Sequence, residues 1–216
     1  MAIISPTITT NDPAVYEINL REFLEFAPRI QIDITDGVLA PSQTLTLNQL
    51  YWPKRDERTC SVDLHLMLNN PADWLDQIIS LQPDKVILHA ESINASEQLP
   101  LLFQQLRHFD IVPGLALLPA TKPGDVSGLI ALSDSVLIFG GHLGYQGGAA
   151  DLSQLEKIGE IKAINSSAML EWDGGANKTN VAQIAGAGIN QINVGSAISN
   201  ASNRQAAYDE LVKLVI

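Results

Sequence analysis

The chain has 216 residues, 46% hydrophobic and 17% charged, with a formal net charge of −11. That length and balance suit one folded domain over residues 1–216 with a large core. The acidic excess argues against a nucleic-acid binder, which needs a basic footprint, yet it permits a phosphorylated small molecule, because backbone N–H groups hold phosphate without lysines. The single cysteine, Cys60, allows no internal disulfide and suits a reducing cytoplasm. No signal peptide is expected from Met-Ala-Ile-Ile-Ser-Pro, and no apolar stretch approaches the length of a membrane span.

In chain order, a strand over 2–8 leads to a helix over 13–26 and a strand over 30–35. A strand over 62–67, a helix over 71–81, a strand over 85–89 and a helix over 96–107 follow. The second half reads as strands over 112–117 and 135–139, a helix over 152–164, a strand over 168–172, a helix over 180–187, a strand over 191–194 and a helix over 205–215. The strands are rich in Ile, Leu and Val, as parallel strands buried on both faces should be. Pro13 and Pro71 stand just inside helix starts, where a missing N–H costs nothing. Asp12, Asn70 and Thr179 are expected at or near N-caps, and Gly188 at a helix stop. Eight strands in 216 residues give 27 residues per unit, which suits a compact α/β (β/α)₈ barrel. The doubly wound open sheet is the alternative, but its glycine fingerprint after the first strand is missing. Here the glycines cluster late, where barrels build phosphate sites.

The second strand alternates, so Gln31, Asp33 and Thr35 share one face and Ile30, Ile32 and Ile34 the other. A polar face on a buried strand needs partners or solvent; Asp33 and Asp36 could equally cap the turn before Gly37. The third strand repeats the pattern with Asp63, His65 and Met67. A lone strand histidine is usually a satisfied core residue, but His65 has Gln31 and Asp33 on the neighbouring strand. Two aspartates and a histidine can bind a divalent cation, with the Gln31 amide oxygen as a fourth ligand. Asp173 ends the seventh strand, and in a closed barrel it can face Asp33 across the mouth. Two opposed carboxylates can remove a proton from one face of a carbon and return one to the other, which is epimerisation. His89 ends the fourth strand, where a structural hydrogen bond is at least as good a reading as a site role. Trp52, Trp74 and Trp172 read as packing residues. The segments around Gly144 and Gly147, Gly174 and Gly175, and Gly195 and Ser196 each follow a strand, and their N–H groups could nest one phosphate.

Over nearly its whole length the sequence resembles the ribulose-phosphate 3-epimerase family. Ile32-Asp33-Ile34-Thr35-Asp36-Gly37 through Pro41 is similar to the family's His-x-Asp-x-Met-Asp-Gly motif with its following Pro. Val62-Asp63-Leu64-His65-Leu66-Met67 with Pro71, Leu88-His89-Ala90-Glu91, and Gly114 through Thr121 resemble the third, fourth and fifth strands, with Leu118 where an Asn is usual. Asp173-Gly174-Gly175 and Gly195-Ser196-Ala197-Ile198 resemble the seventh and eighth.

The resemblance implies a (β/α)₈ barrel of the ribulose-phosphate-binding type that interconverts D-ribulose 5-phosphate and D-xylulose 5-phosphate with a divalent metal, often Zn²⁺. It implies Asp33 and Asp173 as acid/bases and metal ligands, and His65 as a ligand. Gly144, Gly147, Gly174, Gly175, Gly195 and Ser196 would surround the phosphate, and Thr7 would keep the hydroxyl of a substrate-contacting Ser. In departure from the family, Gln31 replaces a ligand histidine, and Thr35 and Phe139 replace two methionines that cap the metal, while Met67 remains. The sixth-strand loop, usually Asn-Pro-Gly-Phe-Gly-Gly-Gln, reads His142-Leu143-Gly144-Tyr145-Gln146-Gly147-Gly148. Loss of an imidazole should weaken the metal and favour Mn²⁺, Fe²⁺ or Mg²⁺ over Zn²⁺.

The expectation is therefore a cytoplasmic, metal-dependent ketose-phosphate 3-epimerase of carbohydrate metabolism in the pentose phosphate pathway. It is expected to act on a small sugar phosphate, with no nucleic-acid or membrane partner; self-association stays open. The alternatives are an epimerase of another ketose phosphate such as allulose 6-phosphate, or a non-catalytic phosphosugar-binding or regulatory barrel. A related decarboxylase would carry Asp-x-Lys-x-x-Asp, and Thr35 stands where its Lys would be.

Overall fold

A computed structural model describes residues 1–216. Eight parallel strands close into a barrel: β1 (Ile3–Ile8), β2 (Arg29–Thr35), β3 (Ser61–Met67), β4 (Lys85–His89), β5 (Val112–Leu117), β6 (Ser135–Phe139), β7 (Met169–Asp173) and β8 (Gln191–Val194). Each pairs with the next, and β8 pairs with β1. The architecture is the expected (β/α)₈ barrel. The outer helices are α1 (Pro13–Phe26), α2 (Leu75–Leu81), α3 (Ala95–His108), α4 (Ser127–Leu132), α5 (Lys157–Ile164), α6 (Val181–Gly186), α7 (Ser196–Ser199) and α8 (Arg204–Lys213). None is long and apolar enough to cross a membrane.

The helices form where apolar residues recur on one face. Tyr16, Leu20 and Phe23 of α1 are buried, as are Leu99, Leu102, Phe103 and Leu106 of α3, the spacing of an amphipathic helix against a sheet. Each such large side chain contributes roughly 1.5–3 kcal/mol by leaving water. Asp12 caps α1, its carboxylate accepting from the Ala14 N–H with Pro13 in the first turn. Gly188 holds φ +101 just past α6, as a helix stop requires.

Several local expectations need correction. Asn70 makes no side-chain cap bond, and its Oδ1 is buried without a partner. The start of α6 falls to Asn180 rather than Thr179, whose N–H instead donates to Asn177 Oδ1. The helices expected over 71–81 and 152–164 each open with a 3-10 turn, Pro71–Trp74 and Leu152–Glu156. No α-helix links β2 to β3; two 3-10 turns, Leu47–Gln49 and Arg55–Glu57, fill that crossover. The short helices α4 and α7, of six and four residues, were not foreseen.

Strand register stacks the inward side chains into layers. Gln31 sits opposite Asp63, Asp33 opposite His65, and Thr35 opposite Met67. Across β7 and β8, Glu171 is opposite Gln191 and Asp173 opposite Asn193. The outward face of the same strands, with Ile30, Ile32, Val62 and Leu64, packs in the main hydrophobic core under the helices.

Candidate active site

Barrel closure brings Asp33, at the C-terminal end of β2, against Asp173, at the end of β7. Gln31 lies beneath them, and its Nε2 donates to Asp33 Oδ1 at 2.8 Å and to Asp173 Oδ2 at 2.5 Å. One amide therefore ties both carboxylates. His65 Nδ1 lies 3.2 Å from Asp33 Oδ1 and 3.4 Å from Asp173 Oδ2. Burial pushes the Asp173 carboxyl up, and the charge of Asp33 adds to this, against the hydrogen bonds from His65 and Gln31. Burial opposes the charged form of His65, but its hydrogen bonds and charge interactions with Asp173 and Asp33 win and push it up to about 9.

The donor set fits a divalent cation. Ligand atoms of Asp33, His65 and Asp173 lie within 4.8 Å of one another. Gln31 Oε1 is buried without a hydrogen-bond partner, so the amide has an oxygen to offer. Met67 and Phe139 line the pocket above this set. Thr35 does not line it; its Oγ1 accepts from Ser42 Oγ at 3.3 Å.

His89 belongs to the same cluster. Its Nε2 is 2.9 Å from His65 Nε2, and its Nδ1 is 3.0 Å from Glu91 Oε2. Glu91 is fixed in turn by the Leu118 N–H at 2.9 Å and by the Thr121 hydroxyl. Burial works against the Glu91 carboxylate, but the bond and charge of His89 hold it below its ordinary value. Burial likewise lowers His89, which favours its neutral form. With Glu91 accepting, His89 donates from Nδ1 and accepts on Nε2, so His65 donates from Nε2. Once His65 gives up its Nδ1 proton, its lone pair there would point at the space between the aspartates, an orientation such outer partners commonly impose on metal-holding histidines.

The residues expected around the substrate also converge. Thr7, Gly144, Gly147, Gly174, Gly175, Gly195 and Ser196 line one pocket with Asp33, His65 and Asp173. The N–H groups of Gly147, Gly174, Gly175 and Gly195 have no backbone acceptor, so they are available to a ligand oxygen. Gly174 holds φ +115, and a Cβ there would collide with the backbone of Gly140 and Gly141; the sixth and seventh loops meet only because it is glycine. Asp36 lies outside the pocket and caps the turn, accepting from the Val38 and Leu39 N–H groups. Trp172 is fully buried and donates to the Gly174 carbonyl, a packing role.

Five pocket residues were not singled out by the sequence reading, Thr9, Tyr145, Gln146, Ala176 and Asn193. Thr9 lies two residues beyond Thr7 and so follows it on the same side of an extended chain, which was the available signal. Gln146 sits in a glycine-rich loop, where nothing in the sequence tells which way it faces.

A profile described as "Ribulose-phosphate 3 epimerase family" matches residues 3–199. The ribulose-phosphate 3-epimerase of Helicobacter pylori (strain ATCC 700392 / 26695) is 26% identical over 195 residues, 88% of each chain. That of Bacillus subtilis (strain 168) is 26% identical over 219 residues, 98% of each chain. Among solved structures, 3-hexulose-6-phosphate synthase from Salmonella typhimurium superposes with a TM-score of 0.73 over 99% of this chain and 98% of its own. At 11% identity it shows the shared barrel alone. With a sequence match from β1 through α7 and an Asp, His and Asp cluster at the barrel mouth, the chain belongs to the ribulose-phosphate 3-epimerase family.

Proposed function

We propose that this protein is a divalent-metal-dependent epimerase that inverts carbon 3 of a ketose phosphate, D-ribulose 5-phosphate to D-xylulose 5-phosphate. The observation that carries this reading is the pair Asp33 and Asp173, held by one Gln31 amide at the mouth of a glycine-lined pocket. The proton on carbon 3 lies next to the carbon 2 carbonyl. One aspartate takes it as general base, leaving an enediolate; the other delivers a proton to the opposite face, and exchange with solvent resets the pair. Such a shuttle needs one carboxyl that holds a proton while the other is charged, and burial favours the protonated form of Asp173. Asp33, His65 and Asp173 would hold the cation, and the Gln31 oxygen would join them only after the amide turns over and gives up its bonds to the two carboxylates. When bound, a divalent cation supplies Lewis-acid stabilisation of the charge that develops on the oxygens of carbons 2 and 3. Thr7, Ser196 and the free N–H groups of Gly147, Gly174, Gly175 and Gly195 would receive the phosphate, an arrangement that needs no lysine.

The test is exchange of the carbon 3 proton with deuterated solvent, followed by NMR. Ribulose 5-phosphate and allulose 6-phosphate are each supplied with Zn²⁺, Mn²⁺, Fe²⁺ or Mg²⁺. Metal-stimulated exchange is expected, fastest with the pentulose. No exchange above background with any combination overturns the reading.

A further inference from the structure

We propose that Thr9 and Gln146 are positioning residues for Asp33, the Gln146 amide orienting the Thr9 hydroxyl and that hydroxyl fixing Asp33 Oδ2. This deepens the epimerase reading and rests on it. Asp33 is held on two sides by different parts of the fold. Its Oδ1 faces Gln31 Nε2 at 2.8 Å and His65 Nδ1 at 3.2 Å, both from within the barrel. Its Oδ2 receives the Thr9 hydroxyl at 2.5 Å, from the loop after β1.

The direction of that second bond is dictated by chemistry. Gln146 Nε2 lies 3.0 Å from Thr9 Oγ1. An amide nitrogen donates and has no lone pair to accept with, so the Thr9 oxygen is the acceptor there. The one proton of Thr9 is then left for Asp33. Gln146 is itself anchored at both ends. Its Nε2 also reaches Thr7 Oγ1 at 3.2 Å and the Thr7 carbonyl at 3.3 Å, and its Oε1 accepts from Ser199 Oγ at 3.1 Å. The amide lies so close over β8 that a Cβ on Gly195 would stand 2.8 Å from Gln146 Cδ; only glycine lets it in. The loop after β6 and the helix after β8 are thereby connected to the carboxylate on β2 through one hydroxyl. Such a bond turns a freely rotating carboxylate into one with a fixed lone-pair direction, which proton transfer at carbon requires.

A double-mutant cycle on metal-supplemented protein tests this, with kcat, KM and Tm measured for each variant. Thr9→Val should lower kcat about tenfold, the loss of one hydrogen bond to a charged group. Gln146→Ala should lower it about threefold, and the double variant should match Thr9→Val alone, because Gln146 acts through Thr9. KM should move less than about twofold, and Thr9→Ser should recover most of the lost kcat. Thr9→Ala takes the valine's place in the cycle if that variant does not fold. Multiplicative losses, losses confined to KM, or a lower Tm with kcat unchanged would each overturn the proposal while leaving the epimerase reading intact. A wild-type protein that turns over no ketose phosphate overturns the reading itself, and this role with it.

Discussion

The barrel interior holds two polar clusters one layer apart, and they differ in charge balance. In the lower one, Lys85 Nζ lies 2.7 Å from Glu171 Oε1 and 3.3 Å from Asp63 Oδ2, and donates to Gln191 Oε1 at 2.8 Å. Arg29 reaches Asp63 at 2.5 Å, and Gln191 Nε2 donates back to Asp63 at 3.0 Å. Two cations meet two anions, and Asp63, Lys85, Glu171 and Gln191 are all buried. In the upper cluster Asp33 and Asp173 share only Gln31 and His65, and Thr9 donates to Asp33 alone. No lysine or arginine is hydrogen-bonded to either carboxylate. The lower layer pairs its charges internally; the upper one is left short of positive charge, as the proposed cation site requires. Buried polarity alone does not separate the two clusters. Unbalanced charge does.

Removing charge from each layer tests that contrast most directly. Asp33→Asn and Asp173→Asn should each lower kcat by about a thousandfold, the range of a lost general acid or base. Thermal unfolding of the metal-free Asp173→Asn variant should show a Tm equal to or above the wild type, since one of two crowded buried charges is gone. Lys85→Met should do the reverse, destabilising the fold by about 3–5 kcal/mol because Asp63 and Glu171 lose their central cation. Urea unfolding measures this, and a loss below about 1 kcal/mol would mean that the lower layer is not charge-locked.

The smaller effects concern the cation. Gln31→His should tighten Zn²⁺ binding about tenfold, read by calorimetry, because imidazole is the better ligand for that metal. Unchanged affinity would place Gln31 outside the coordination sphere. The pH dependence of metal-free stability should follow His65. Its folded value of about 9 stands above the ordinary 6.5. The stabilisation is therefore complete below about 6.5 and is lost as pH rises through about 9. Saturating metal should flatten that decline, because the cation then takes the proton's place; an equally steep decline with metal bound would remove His65 from the cation site.

Much of this was legible because it repeats locally. The buried strands announced themselves as Val, Ile and Leu runs, and period-two alternation placed Gln31 with Asp33 and Asp63 with His65 on shared faces. The glycine segments marked the loops that line the pocket. The four-residue α7 was not legible, since about one turn carries no amphipathic signal. The Thr9 to Gln146 contact spans 137 residues, and no local pattern encodes a partner that far away.

By itself the sequence determined the barrel and the family and singled out Asp33 and Asp173 as the pair to propose, because hydrophobic periodicity and motif order are properties of the chain. Only the tertiary structure decided which polar residues balance one another. Asp63 and Asp33 are both strand aspartates, one pairing from its neighbour and equally buried in pattern. Pairing of β3 with β4 and β2 hands the first to Lys85 and Arg29, whereas closure of the barrel brings the second to Asp173 on β7. Charge compensation depends on distance through space, and the chain alone does not carry that distance.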